Sequence, residues 1–323
     1  MPSHPHRIDV HHHYTSPEWL ASLKHHVEHS YKFPGVATLT KWSAAAAIEA
    51  MDEGGVQTSV LSTCTPGIWF GDPAETRRLA RNMNDFGANL VREHKGRYGL
   101  FGVLPLPEID SSLEEIGYVM DTLKADGISV LSSYGNKWLG DPSFAPVWDE
   151  LNRRKAVVYS HATAPDCCRA VMPNFDPTTI EFNTDTARTI INLIETGTAE
   201  RYPGIRFIFS HAGGTISALA GRYLGDQVKQ KTLNSEVAPN TKLGYLRGFH
   251  YDTAASANYV SMQAMKMIVP SSQILFGTDF PWFRPAKILE GLSDAGLTQA
   301  DLDGIEGENA KRLMPQFSKG LVR

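Results

Sequence analysis

The sequence predicts a (β/α)8 barrel of the TIM type, and three observations carry that expectation. Short apolar runs alternate with longer helical stretches along the chain, and eight such runs can be counted. Four of the eight end on histidine or aspartate: His11-His12-His13, His161, His211 and Asp279. No G-x-G-x-x-G follows the first run and no G-x-x-x-x-G-K-[ST] occurs, which argues against an open dinucleotide- or P-loop sheet. At 323 residues the chain has a length that α/β barrels commonly reach. It shows no repeat, low-complexity tract or linker, so residues 1–323 are read as one domain.

Taken in order, Arg7-Ile8-Asp9-Val10 leads as a strand into the histidine triplet. Thr15-Ser16-Pro17 offers a helix start, and residues 25–41, mixed and rich in His, Lys and Thr, read as a long loop or small insertion after the first strand. Trp42 to Glu53 is helical, stopped by Gly54-Gly55, and Val56 to Ser62 is the second strand. The loop after it exposes Trp69 and Phe70 among breakers. A helix over Pro73–His94 precedes strand three at Tyr98–Val103. A Ser-x-x-Glu capping box at Ser111 and Glu114 opens the helix that runs to Ala125. Strand four is Ile128–Leu131, with Ser132-Ser133-Tyr134-Gly135 as its outgoing loop, followed by a helix over Phe144–Arg154. Strand five, Ala156–His161, is followed by a proline-bearing loop (Pro165, Pro173, Pro177) and a helix near Thr184–Gly197. Strand six runs from Ile205 to His211, and Ala212-Gly213-Gly214 opens the next helix. Residues 232–245 are polar and irregular. Strand seven is Phe249–Thr253, a helix covers Ser256–Ile268, strand eight is Gln273–Asp279, and the last helix lies near Asn309–Met314.

Composition narrows the function classes. Hydrophobic residues at 42% and charged residues at 20% suit a water-soluble globular enzyme. A net charge of −4 gives no reason to expect nucleic acid or a membrane surface as partner. Three cysteines, Cys64, Cys167 and Cys168, make no disulfide framework, which points to a reducing cytoplasm. The opening Met-Pro-Ser-His-Pro-His has no basic and apolar signal segment, and no apolar run is long enough to span a bilayer.

Within the triplet, alternate side chains share a face, so His11 and His13 point one way and His12 the other. Two imidazoles at i and i+2 on a strand end make half of a divalent-metal site. A tag remnant or a surface cluster are the bland alternatives, and tags are longer and lack the Ile-Asp-Val lead-in. His161, His211 and Asp279 are each, taken alone, as well read as a capped strand end or a satisfied core histidine. In a β/α barrel, however, strand C-termini converge on one face, where active sites form. Four such ends carrying His or Asp make coincidence a poor account. Cys167-Cys168 reads as a packing pair, since adjacent residues rarely ligate one ion together.

His11-x-His13, the strand-five His161, Phe209-Ser210-His211-Ala212-Gly213-Gly214, Leu275-Phe276-Gly277-Thr278-Asp279-Phe280-Pro281-Trp282 and the closing Gly307-Glu308-Asn309-Ala310 carry a resemblance. Together they resemble the amidohydrolase superfamily, in the branch of 2-amino-3-carboxymuconate 6-semialdehyde decarboxylase and the γ-resorcylate, 5-carboxyvanillate and 6-methylsalicylate decarboxylases. The resemblance covers almost the whole chain. It implies one divalent ion, zinc or else manganese, held by His11, His13, His161 and Asp279. It also implies His211 as a catalytic, substrate-polarising neighbour and Asp279 as both ligand and proton donor. A homodimer is implied by the same resemblance. Strand four ends in Ser132-Ser133, with no lysine to bridge two ions, which supports a mononuclear centre.

The chemistry expected is metal-dependent, non-oxidative decarboxylation of a small ortho-hydroxy aromatic carboxylic acid, similar to 6-methylsalicylate, by protonation of the ring carbon and loss of carbon dioxide. A metal-dependent hydrolase of an amide, lactone or carbon–carbon bond is the alternative on the same barrel, and a non-catalytic metal-binding barrel the alternative outside enzymes. The semialdehyde decarboxylases clamp a second carboxylate with arginines. Residues 31–41 contain no arginine, and Asp226 and Val228 stand where the second would be expected. A monocarboxylate with an apolar substituent therefore fits better. Trp69, Phe70, Tyr134 and Trp282 are the candidate pocket walls, and Arg169 is a candidate carboxylate partner with a surface ion pair as its alternative.

Overall fold

The computed structural model describes residues 6–29, 33, 35–169, 176–229 and 233–318, without the side chains of His29, Asp166 and Arg169. Eight parallel strands follow one another around a barrel: β1 (Arg7–His13), β2 (Val56–Ser62), β3 (Tyr98–Val103) and β4 (Gly127–Leu131), then β7 (Val157–His161), β8 (Arg206–Phe209), β9 (His250–Asp252) and β10 (Ile274–Leu275). Between β4 and β7 a small antiparallel hairpin, β5 (Ser133–Tyr134) with β6 (Lys137–Trp138), fills the loop after the fourth barrel strand. The segment after β10 closes the ring on β1. The Val10 N–H donates to the Phe276 carbonyl at 2.9 Å, the Asp279 N–H to that of His11 at 2.8 Å, and the His13 N–H to that of Phe280 at 2.9 Å.

The eighth strand is shorter than expected from its apolar run. Regular pairing ends at Leu275 because the chain bends away before Asp279, which sits at φ 64 in the left-handed region. That bend turns the aspartate side chain toward the mouth of the barrel while its N–H still pairs with β1.

Two apolar layers hold the barrel. Ile8, Val10, Val60, Phe101, Tyr159 and Leu275 fill the interior, and Leu313, Met314 and Phe317 cap it at the end where the strands begin. The Arg206 Nη1 donates to the Leu313 carbonyl at 2.7 Å and fastens that cap. The larger layer lies between strands and helices, with Trp19, Trp148 and Tyr251 wholly buried. Strict alternation along β1 would put His12, with Ile8 and Val10, inside the barrel. The register slips between Asp9 and His12, as in a β-bulge, and returns His11 and His13 to the interior face instead. His12 then stacks on Phe280, with ring centroids 4.7 Å apart, and bonds to Asp9 Oδ2 at 3.1 Å.

Several helix boundaries differ from the sequence expectation for identifiable reasons. The expected insertion is largely helical: the helix Pro17–His29 runs through its first part and Val36–Thr40 adds a short one, while residues 30–32 and 34 lie outside the described residues. The capping box at Ser111 and Glu114 does not form. The helix begins at Ile109, and Ser112 Oγ donates to the Glu108 carbonyl at 2.6 Å. The capping box found is at Thr298 and Asp301. The helix expected near Thr184 starts at Pro177, whose fixed φ suits the first helical position, with Asp176 accepting the Thr178 N–H at 2.9 Å. Likewise, Lys242–Gly248 forms a helix within the stretch expected to be irregular.

Candidate active site

The strand ends bring five polar side chains into one buried cluster. One ligand atom each from His11, His161, His211 and Asp279 lies within 4.8 Å of the others. His13 joins them, its Nε2 standing 3.0 Å from His11 Nε2 and 3.1 Å from Asp279 Oδ1, while His11 Nε2 is 3.3 Å from the same oxygen. Ligands about 2.1 Å from a single ion, at tetrahedral or octahedral angles, stand roughly 3.0–3.4 Å apart. The three atoms have the mutual spacing of neighbours in one coordination shell.

Hydrogen bonds on the far side of each ring separate the histidines into two kinds. His11 Nδ1 faces Asp252 Oδ2 at 2.9 Å, His13 Nδ1 faces the Ser62 carbonyl at 3.2 Å, and His161 Nδ1 faces the Ala162 carbonyl at 2.7 Å. Each partner accepts, so each Nδ1 carries the proton and each Nε2 is the nitrogen left to offer a lone pair to an ion at the centre, the arrangement found in metal-ligating imidazoles. His211 differs. Its Nδ1 is buried with no hydrogen-bond partner, and its Nε2 lies 3.5 Å from Asp279 Oδ2. Distance alone groups His211 with the ligands; ring-nitrogen bonding groups His11, His13 and His161.

Electrostatics follow from burial and the two aspartates. Burial lowers the His13 and His161 pKa, and the neighbouring imidazoles push His161 further down, so both rings stay neutral, as a metal requires. Burial also opposes charge on His11, but Asp252 and Asp279 outweigh it and hold that ring up at about 10 without an ion. Burial would raise Asp279, yet His11, His13 and His211 together hold its carboxyl well below the usual range. Both Asp279 (φ 64) and His211 (φ 56) take left-handed backbone conformations rare for residues with a Cβ, an expense concentrated at the site.

Two buried residues of this site are missing from the sequence reading. Asp252 closes β9 behind His11, and Asp9 lies behind the strand-eight bend. Tyr251-Asp252-Thr253 is a strand-end aspartate like Gly277-Thr278-Asp279, and that signal could have flagged the first.

The amidohydrolase family profile matches residues 8–315. The chain belongs to the amidohydrolase family. Its relatives place it on the decarboxylase branch. Decarboxylase macB of Penicillium terrestre is 33% identical over an alignment spanning 96% of this chain and 95% of that protein. The 6-methylsalicylic acid decarboxylase acuB of Aspergillus aculeatus is also 33% identical, over 85% of this chain and 84% of its own. Among solved structures, dihydroxybenzoic acid decarboxylase from Polaromonas sp. JS666, with bound manganese and the inhibitor 2-nitroresorcinol, shares the fold. It has a TM-score of 0.83 at 20% identity, covering 98% of this chain and 99% of that one.

In this amidohydrolase a cavity of about 330 Å3 opens over the cluster, with His161, His211 and Asp279 in its lining. Phe33, Phe182, Trp282 and Phe283 supply apolar wall, and Thr65, Thr178 and Asn183 neutral polar groups. No lysine or arginine is among the described residues that line it. Of the aromatics expected as walls, Trp282 is in place, its ring edge-on to His13 at 5.6 Å. Trp69, Phe70 and Tyr134 do not line the cavity. Phe70 stacks on His26 at 4.3 Å, and Tyr134, buried against Phe144, takes the Leu131 N–H on its hydroxyl at 3.0 Å. The breaker-rich loops made Phe70 and Tyr134 look available, but local packing takes these two up. Arg169 ends the short helix Asp166–Arg169, and its side chain lies outside the described residues. Cys167 is exposed rather than packed, its Sγ 3.2 Å from that of Cys168. Buried Cys64 does line the cavity, and burial pushes its thiol up, which keeps it protonated and unfit as a nucleophile.

Proposed function

We propose that this protein is a metal-dependent, non-oxidative decarboxylase of a small ortho-hydroxy aromatic acid of the 6-methylsalicylate kind. The observation that carries the reading is the joining of a three-imidazole, one-carboxylate donor set to a cavity whose described lining holds no cation. His11, His13, His161 and Asp279 would hold the ion, a donor set that suits zinc and also accepts manganese. A divalent ion there would supply a positive anchor for the substrate carboxylate and the adjacent phenolic oxygen. No lysine or arginine is among the described lining residues, so a second substrate carboxylate meets no cation among them, which favours a monocarboxylate.

The chain's own groups then move one proton. Asp279 Oδ1 lies between His11 and His13, and Oδ2 faces His211 and the cavity, so Oδ2 is the oxygen that hands a proton to the ring carbon bearing the carboxylate. Because its neighbours hold Asp279 ionised, the proton reaches it from His211 Nε2 and rests on it only in passing. Protonation makes the ring carbon tetrahedral while the ortho oxygen donates electrons. Breaking the bond to the carboxylate then returns the electron pair to the ring and releases carbon dioxide. Phe182, Trp282 and Phe283 hold the ring flat and keep water from the tetrahedral carbon.

The named relatives are decarboxylases, which favours this reading over hydrolysis. We place the protein in the cytoplasm: its three cysteines are free, and among the described residues no helix is long and apolar enough to cross a membrane. The deciding experiment incubates the metal-analysed protein with salicylate-type acids in deuterated or 18O-labelled water. Deuterium at the vacated ring carbon with carbon dioxide release supports decarboxylation; 18O in an organic product with no carbon dioxide would overturn it.

A further inference from the structure

Asp252 closes β9 wholly buried, with both carboxylate oxygens engaged. Oδ2 accepts the Nδ1 proton of His11 at 2.9 Å and the Tyr159 hydroxyl at 3.3 Å. Oδ1 accepts the backbone N–H groups of His211 and Ala254, each at 3.0 Å. The first set of bonds decides which ring nitrogen His11 turns to the centre. The second decides where the His211 backbone sits, in a left-handed conformation that is unfavourable for an L-residue and needs something to hold it. Gly277 makes this closeness possible. A Cβ there would stand 2.9 Å from the Cβ atoms of both His11 and Asp252.

From this geometry we infer that Asp252 is a positioning residue that joins the two halves of the site, one oxygen setting His11 as an Nε2 donor and the other setting the place from which His211 reaches Asp279. The inference rests on the proposed ion at His11 but not on which reaction is performed there. Its ligand-side consequence is read without substrate.

The test is Asp252→Asn. The amide oxygen still accepts the two backbone N–H groups, while the amide nitrogen faces the His11 Nδ1 proton, donor against donor. His11 then gives up either that bond or its Nε2 lone pair. Apparent affinity for Zn2+ or Mn2+, measured by chelator competition on protein shown folded by circular dichroism, should fall roughly 10–100-fold. At saturating metal, turnover should return toward the parent's, because the amide oxygen still holds the His211 backbone. Gly277→Ala changes no polar group but wedges His11 from Asp252, and should lower metal affinity in the same direction. A folded Asp252→Asn protein binding the ion within twofold of the parent would overturn the inference, since a merely structural carboxylate would lower the melting temperature alone. If that variant does not fold, 15N-histidine NMR of the metal-loaded parent decides. His11 protonated at Nδ1 is the expected state, and His11 protonated at Nε2 would overturn the inference. Failure of the decarboxylase reading shows only in the labelling experiment and leaves both measurements standing.

Discussion

Asp9 accepts both the backbone N–H of Thr278, at 3.0 Å, and its hydroxyl, at 2.6 Å. This pair is the seam where the last strand meets the first, and the Asp279 bend begins one residue later. Thr278 Oγ1 also accepts the Phe280 N–H at 3.1 Å, so the hydroxyl serves the seam twice. Thr278→Val keeps the shape and removes both bonds inside a buried region. It should cost about 1–3 kcal/mol of unfolding free energy, and Thr278→Ser should recover most of it. Urea midpoints at constant m-value measure this. A valine variant within 0.5 kcal/mol of the parent, a margin of roughly the size seen for neutral surface changes, would show that the seam does not depend on the hydroxyl.

Asp279→Asn tests proton delivery. The amide can still contact the ion through its oxygen but cannot carry a transferable proton. At metal concentrations that saturate the variant, kcat should fall by roughly 10^2–10^4, the range general acids contribute. Steady-state kinetics with metal titrated to a plateau separate this from weaker loading. Full activity at that plateau would remove Asp279 from the proton path.

Much of this site was legible in the chain because it lies at strand ends. His11, His13, His161, His211 and Asp279 sit at the ends of apolar runs, and a parallel barrel gathers such ends on one face. What was not legible depends on departures from regular pairing. The register slip in β1 and the left-handed Asp279 leave no mark in hydrophobic periodicity, because each is set by pairing with another strand, β2 for the slip and β1 for the bend. Asp252 escaped because a lone strand-end aspartate differs from a turn residue only once His11 is found against it. The wall residues failed for another reason. Trp69, Phe70 and Tyr134 are suggested as walls only by loop position, and loop position does not say whether an aromatic faces a cavity or its own neighbours.

Trp282 should act on substrate binding more than on chemistry. It lines the cavity beside His13 and contributes apolar surface and no transferable proton at the reacting carbon. Removing roughly 55 Å2 of apolar contact at about 25 cal/mol/Å2 costs about 1.4 kcal/mol, or tenfold. Trp282→Ala should raise KM by about that factor with a smaller change in kcat, and Trp282→Phe should fall between. An equal loss in kcat and kcat/KM would assign the ring to the transition state instead.

His250, at the start of β9 away from the cluster, should make stability fall in mild acid. Burial, with Arg206 nearby, pushes its imidazole down to about 4, against an ordinary 6.5. Below pH 6.5 the unfolded chain takes up a proton at His250 that the folded chain refuses. Proton uptake favours the unfolded state, so stability drops as pH falls from 6.5 and levels off only below about 4. The gap corresponds to roughly 3 kcal/mol at its full extent, as an upper figure for one mostly buried group. His250→Gln removes the titration and keeps a polar side chain of similar reach. Subtracting the variant's urea stability from the parent's at pH 7, 6, 5 and 4.5 cancels the other titrating groups, since His250 lies outside their cluster. The difference should grow steadily more unfavourable to the parent as pH falls. A difference that stays flat across that window would mean that His250 takes its proton in the folded protein as readily as in the unfolded chain.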